Sequence, residues 1–168
     1  MINNFDFFRF LAATLVIYSH AFPLSGNGYN GELFVKLTNS QMSGGSIGVG
    51  IFFLMSGYLI AKSWDGNPNI AQFVRKRILR IIPGLMVCVL VSMLVIGPIY
   101  TALPIKEYFF HNDTISYIKN VFLWETRFTL GGTFVGLPYA NVINGSLWTL
   151  KYEIRCYLIL LMLGIMGI

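Results

Sequence analysis

Charged residues are scarce in this sequence. Only 11% of its 168 residues are Asp, Glu, Lys or Arg, whereas a soluble domain carries about 25%. So few charges cannot cover a surface exposed to water. The remainder is strongly apolar, with 55% hydrophobic residues and a mean hydropathy of +0.66. The composition therefore excludes an ordinary soluble domain and predicts an integral membrane protein.

Cysteine and histidine are also rare, with two of each. Cys88 and Cys156 lie inside apolar segments, where neither a disulfide framework nor a metal site is expected. We predict buried small side chains at both positions and no metal site. The net charge of +5 does not indicate a nucleic-acid partner. Five of the twelve Lys and Arg residues lie between positions 62 and 80, beside apolar segments, as membrane topology requires.

Four apolar segments are long enough to cross a hydrocarbon core of about 30 Å as helices. They cover about 5–24, 47–64, 81–100 and 146–168. Gly and Pro residues follow the first segment, and a turn signal at 65–69 follows the second. We predict an all-α polytopic transmembrane helical bundle with about four spanning helices. Within the connection 101–146, residues 115–124 are expected to form a short aromatic-rich helix at the membrane interface.

Basic residues are distributed unevenly over the connections. Residues 62–80 contain five basic residues and only one acidic residue, an Asp. The loop 25–46 contains one of each, Lys36 and Glu32. Short basic loops stay in the cytoplasm. We therefore expect the N-terminus and residues 65–80 on the cytoplasmic side, with 25–46 and 101–146 outside.

The first segment contains ionisable residues that are costly in lipid. Arg9 and His20 are eleven residues apart, which places them on one helical face, about 16 Å apart along the axis. Asp6 is within reach of Arg9. Two interpretations remain open. These residues either form a functional site facing the bundle interior, or they extend to the two membrane interfaces.

Charges also interrupt the later segments. Arg77 and Arg80 share a helical face and serve either as an anchor at anionic lipid headgroups or as a site for a phosphate-bearing substrate. Glu153 follows the start of the fourth segment and is a candidate for an interior-facing carboxylate. The small residues at 43–50 predict close helix packing.

Four patterns occur in a fixed order over residues 6–157. They are Asp6…Arg9-x10-His20, Gly48-Val49-x2-Phe52-Phe53-x2-Ser56-Gly57-Tyr58-Leu59-Ile60, Arg77-x2-Arg80-x2-Pro83 and Ser146-Leu147-Trp148-Thr149-Leu150-x2-Glu153-x3-Tyr157. Together they resemble the acyltransferase-3 family of polytopic membrane O-acyltransferases. That family has about ten spanning helices of about 20 residues each. The resemblance therefore predicts that 1–168 is the N-terminal part of such a domain, truncated in the fourth helix.

The resemblance implies a reaction and a set of site residues. Such proteins of the bacterial inner membrane transfer an acyl group, often acetyl, from acyl-CoA to a hydroxyl of a cell-surface carbohydrate or glycolipid. The implied partners are acyl-CoA, the glycan acceptor and membrane lipids, with no bound cofactor. Arg9 and His20 fall on the family's essential pair, and Arg77 and Arg80 on its donor segment. We expect His20 to act as a general base rather than as an acylated nucleophile. The full set is catalytic His20, Arg9 and Glu153, and substrate-binding Arg77, Arg80, Asp6 and Trp148.

Two other functional classes remain open. A polytopic transporter would use intramembrane Arg, His and Glu residues as a substrate or proton path, although no inverted repeat or pair of broken helices is evident. An inactive fragment of the enzyme would lack the helices needed to close a site.

The predicted orientation is testable with single-cysteine variants. Ser25→Cys and Asn69→Cys should react with a membrane-impermeant maleimide from opposite sides, because one spanning helix separates the two connections. Labelling in intact cells and in inverted vesicles measures this. Reaction of both positions from the same side would contradict the orientation.

Overall fold

The computed structural model describes residues 4–26, 28–123, 125–139 and 141–167. Within these ranges every regular element is helical, and an isolated bridge joins Thr101 and Thr133. The predicted all-α class is confirmed. The chain divides into two compact units, Met1–Lys62 and Ser63–Ile168, which are described separately below.

Three helical stretches of the described chain are long and apolar enough to cross a membrane: Phe5–Leu24, Gly44–Asp65 and Ile70–Tyr100. The protein is therefore a membrane protein. The first two, α1 and α3, lie where hydropathy placed them. The fourth predicted segment forms the helix α8, Trp148–Ile165, after a 3-10 turn at Gly145–Leu147. Three of the 18 residues of α8 are charged, whereas the 31-residue stretch Ile70–Tyr100 has an uncharged run after Arg80. Residue 168 lies outside the described residues.

The helical stretch that contains the predicted third segment, 81–100, begins earlier, at Ile70. It consists of α4 (Ile70–Val91), a π-helical turn (Ser92–Ile96) and α5 (Gly97–Tyr100). Asn69 caps its start by accepting a hydrogen bond from the Gln72 N–H at 2.9 Å. The basic residues that follow have good helix propensity. The expected cytoplasmic loop 65–80 is thus only a short turn, and its basic cluster lies on the helix.

In the unit Met1–Lys62, the carboxylate of Glu32 connects two helix N-termini. Glu32 is 0% exposed. One of its oxygens accepts from Val35 N at 2.8 Å, at the start of α2 (Leu33–Leu37), and the other accepts from Gly44 N at 2.9 Å, at the start of α3. The sequence suggested only a charge opposite Lys36. In the structure the carboxylate instead satisfies amide groups that a helix end leaves without partners.

The same unit packs α1 against α3 through small residues. A Cβ atom added at Gly48 would lie 2.6 Å from the carbonyl oxygen of Ala12, and one added at Gly45 would lie 3.1 Å from Ser19 Oγ. Both Ala12 and Ser19 are buried. The packing role predicted for residues 43–50 is therefore seen at Gly45 and Gly48, where small residues allow the two helices to approach closely, whereas a Cβ atom at Gly50 would meet no atom within 4 Å.

In the unit Ser63–Ile168, the connection after the third stretch folds back onto it. It contains α6 (Ile105–Phe110), α7 (Asn112–Tyr117) and a 3-10 helix at Ile118–Phe122. The Tyr108 hydroxyl donates to the Met93 carbonyl oxygen at 2.7 Å, within the π-helical turn. Burial raises the pKa of the Tyr108 and Tyr117 hydroxyls. Residues 115–124 were expected to form one helix. The helical residues end at Phe122, and Trp124 lies outside the described residues.

Hydrogen bonds between side chains and backbone groups join distant parts of this connection. The Asn120 side chain pairs with both backbone groups of Arg127, at 2.9 and 2.8 Å. The Gly131 N–H donates to Thr114 Oγ1 at 3.1 Å, and the Thr101 hydroxyl donates to the Gly131 carbonyl at 2.7 Å. Residues 101–134 are thus an ordered substructure rather than a simple loop.

The buried Glu32 carboxylate predicts a measurable stability effect. Glu32→Gln replaces one accepting oxygen by an NH₂ group that faces a backbone N–H, so we expect unfolding in an SDS titration to become easier by about 1–3 kcal/mol. Glu107→Gln is the control, because Glu107 is exposed and a surface change costs within about 0.5 kcal/mol. Equal stability of the two variants would contradict the assigned role.

Candidate functional site

The ionisable residues of α1 lie on one uninterrupted helix, since Pro23 falls in its last turn. Arg9 donates to the Asp6 carboxylate at 3.0 Å, as the spacing predicted. His20 is exposed. Its imidazole makes no hydrogen bond or ion pair with another described residue. Within the described part of the chain, neither ring nitrogen of His20 is thus engaged by another side chain or backbone group.

The Arg77 guanidinium is held between two aromatic rings. Its central carbon lies 5.1 Å from the ring centre of Phe73 and 5.5 Å from that of Tyr157. Cation–π contacts of this kind attract the guanidinium group to the ring faces. Its Nε is buried without a hydrogen-bond partner in the described part of the chain. Arg77 is thus oriented by packing rather than by a saturating set of hydrogen bonds.

Tyr157 also connects Arg77 to Glu153. The Tyr157 hydroxyl donates to the Glu153 carboxylate one turn earlier on α8, and Tyr157 is buried. The charges of Glu153 and Arg80 both act on Arg77. The sequence indicated Glu153 but gave Tyr157 no role, although the four-residue spacing between them places both on one helical face.

A polar cleft of about 320 Å³ lies between α4 and the start of α8. Arg80 and Glu153 are on its wall, together with Cys88, Asn144 and Ser146. The Asn144 amide donates to Cys88 Sγ at 3.1 Å, and its oxygen accepts from the Ser146 hydroxyl at 2.6 Å. Two side chains predicted as site residues therefore face one space, accompanied by polar groups that the sequence did not single out.

An apolar groove of about 140 Å³ lies beside Arg77, also between α4 and α8. Except for Arg77 and the Tyr157 hydroxyl, its walls are hydrocarbon or aromatic ring: Phe73, Val74, Ile78, Ile81, Ile154 and Leu158. Arg77 and Tyr157 border this groove, whereas Arg80 and Glu153 border the polar cleft.

Two positive charges near the start of α8 lie over one aromatic ring. Lys151 and Arg155 lie over the Tyr152 ring, at 5.1 and 5.5 Å from its centre. The indole of Trp148 packs edge-on against the same ring at 5.6 Å. Trp148 is 40% exposed and is not among the side chains that line either cavity.

The cysteines are both free thiols. Cys88 is half-buried and accepts from Asn144, whereas Cys156 is exposed. The prediction of a buried side chain is therefore wrong for Cys156. Among the described residues, no three His, Cys, Asp or Glu side chains lie close enough together to hold a metal ion.

The structure brings together some of the predicted site residues. Arg77, Arg80 and Glu153 are neighbours in the unit Ser63–Ile168, which also contains Trp148. Asp6 and Arg9 form a pair in the unit Met1–Lys62, and His20 belongs to the same unit.

Comparison with known proteins gives a consistent result. A family model described as "Acyltransferase domain" matches residues 2–167. The chain is 35% identical over 165 residues to a protein of Shigella phage Sf6 named "O-acetyl transferase", with 94% of this chain and 44% of the relative covered. It is 36% identical over 167 residues to "Nodulation protein 10" of Rhizobium leguminosarum bv. viciae, with 96% and 44% covered. The chain thus spans less than half the length of these relatives. No solved structure matches it significantly.

Proposed function

The chain belongs to this acyltransferase family, and from that membership we propose that it forms the donor-binding and proton-accepting part of an integral membrane O-acyltransferase. The reaction moves an acyl group, in the first instance acetyl, from acyl-CoA to a hydroxyl of a cell-surface carbohydrate or glycolipid. The name of the phage relative supports acetyl transfer to oxygen. The observation that carries the proposal is the oriented Arg77 guanidinium next to Arg80 and Glu153. We place the enzyme in the bacterial inner membrane with its N-terminus in the cytoplasm.

We assign binding of the acyl donor to residues of the unit Ser63–Ile168. Coenzyme A carries phosphate groups, which guanidinium groups bind through paired, charge-assisted hydrogen bonds. Arg77 lies over the rings of Phe73 and Tyr157, and Arg80 is exposed at the polar cleft. Asn144 and Ser146 offer hydrogen-bonding groups to the amides of the pantetheine arm. Glu153, held by Tyr157, offsets the mutual repulsion of the two arginines while no donor is bound.

We assign proton acceptance to His20, because its imidazole has no hydrogen-bond or ion-pair partner among the described residues and histidine is the commonest general base in enzymes. In the proposed step, the acceptor hydroxyl gives its proton to the His20 imidazole while its oxygen attacks the thioester carbonyl carbon. The C–S bond then breaks, and the leaving thiolate takes the proton back from the imidazolium. The acyl ester and free coenzyme A result, so the step needs no further reactant.

The remaining predicted residues support substrate binding. Arg9 lies about 16 Å from His20 along α1, which is too far for both to act on the same carbon. We therefore assign Arg9, oriented by Asp6, to the anionic groups of a substrate. The exposed indole of Trp148 offers an apolar face to a sugar ring.

A histidine pair tests the assigned base. His20→Ala, introduced in the native host, should lower the O-acetyl content of surface glycans about 10²- to 10⁴-fold, the usual contribution of a general base. The control is His111→Ala, because His111 is the other histidine of the chain and is an exposed residue outside the site. The ester content is measured by mass spectrometry at equal membrane levels of protein. Retained O-acetylation after His20→Ala would exclude this role.

An arginine pair tests donor binding directly. Arg77→Ala should weaken binding of acetyl-CoA to the purified chain about 10- to 150-fold in calorimetry, since hydrogen bonds to charged groups contribute about 1.5–3 kcal/mol. Arg75→Ala removes the same charge from an exposed position of α4 and should change the Kd little. Equal weakening by both variants would indicate general charge attraction, and unchanged binding by Arg77→Ala would remove its role.

A further inference from the structure

The segment 105–122, which comprises α6, α7 and the following 3-10 helix, exposes large apolar side chains. Phe110 is 81% exposed and Phe122 is 78% exposed. The other exposed apolar side chains of this segment are Ile105, Phe109, Ile115 and Ile118. Six such residues in 18 positions are far more than a water-exposed surface of this size carries without function.

The side chains that this segment buries are polar or carry a hydroxyl. Thr114 and Asn120 are almost completely buried, and both hydrogen-bond to backbone groups of residues 127–131. Tyr108 and Tyr117 are buried completely. The segment thus buries only side chains that carry a polar group, whereas its large apolar side chains are exposed alongside charged ones such as Lys106, Glu107 and Lys119. A domain that folds in water places most of its large apolar side chains inside.

The attachment of this segment to the third spanning stretch fixes its depth. The stretch Ile70–Tyr100 has 31 residues and is therefore about 46 Å long, whereas a hydrocarbon core is about 30 Å thick, or about 20 residues. A core beginning at Ile70 ends near residue 90, and one beginning at Arg80 ends near Tyr100. In either case the hydrocarbon boundary at this end falls between residues 90 and 100.

The segment contacts the stretch within these limits. The Tyr108 hydroxyl bonds to the Met93 carbonyl. A Cβ atom at Gly97 would overlap that hydroxyl, so the two elements touch there. The segment 105–122 is therefore attached to a membrane-spanning helix at the level where hydrocarbon gives way to headgroups.

We propose that residues 105–122 form an interfacial segment that inserts Phe110 and Phe122 among the lipids at the surface of the bilayer. The short helices leave backbone groups without internal partners at their ends, which the interface tolerates and the hydrocarbon core does not. Lys106 and Lys119 are exposed on the same segment and can reach the headgroups with their long side chains. The occupant of this surface is lipid, and the contact anchors the ordered connection 101–134 to the membrane.

Fluorescence quenching tests this placement in the intact chain. Single cysteines are introduced by Phe110→Cys or Phe122→Cys after Cys88→Ser and Cys156→Ser, labelled with a polarity-sensitive dye and reconstituted in phosphatidylcholine–phosphatidylglycerol vesicles. We expect blue-shifted emission, strong quenching by lipids with a nitroxide near the headgroup, and loss of quenching by aqueous iodide. Lys106→Cys and Lys119→Cys are matched controls in the same helices, and they should show the opposite preference.

Three results would overturn the proposal. Iodide quenching at positions 110 and 122 equal to that at 106 and 119 would place the whole segment in water. Protection from both quenchers would indicate that protein covers the surface, either a second copy or other parts of the enzyme. If the dye is quenched most strongly by a lipid whose nitroxide lies near the end of the acyl chain, the segment lies in the hydrocarbon core. Circular dichroism of each labelled variant, compared with the parent chain, confirms that the fold is retained.

Discussion

The cost of polar groups in an apolar solvent is the constraint on which the rest of this structure depends. Every backbone amide and every charge that leaves water must find a partner within the chain. Glu32 meets this requirement for the starts of α2 and α3, and Asn69 does so for the start of α4. The Met93 carbonyl oxygen, in the π-helical turn, accepts a hydrogen bond from the Tyr108 hydroxyl. Each of these contacts also sets where a helix begins or where a connection attaches.

The same constraint shapes the candidate site. Arg77, Lys151 and Arg155 each lie over an aromatic ring, and Glu153 accepts a hydrogen bond from Tyr157. Rings and hydroxyls hold these charges without neutralising them by close ion pairs, so the charges remain able to bind a substrate. Asp6 and Arg9 do form an ion pair, but an exposed one, whose contribution to stability is small.

Under the proposed acyl transfer, these charged residues would serve one reaction, and their chemistry supports that proposal. Guanidinium groups suit a phosphate-bearing donor, an imidazole with no partner among the described residues suits the removal of a hydroxyl proton, and a mixed polar cleft suits an amide-bearing arm. The relatives are more than twice as long as the region they share with this chain. The activity of the whole enzyme is accordingly part of the proposal.

The sequence by itself determined the membrane class, the helical fold and the position of α1, because hydropathy over about 20 residues reflects the solvent directly. It also singled out Arg9, His20, Arg77, Arg80 and Glu153 as candidate site residues, since charges in or beside apolar segments are conspicuous. Only the tertiary structure decided that α4 begins at Ile70, that Glu32 is buried between two helix ends, and that Tyr157 joins Arg77 to Glu153. Local pattern cannot determine such features. They depend on which distant amide, ring or hydroxyl becomes the partner of a polar group once the helices pack.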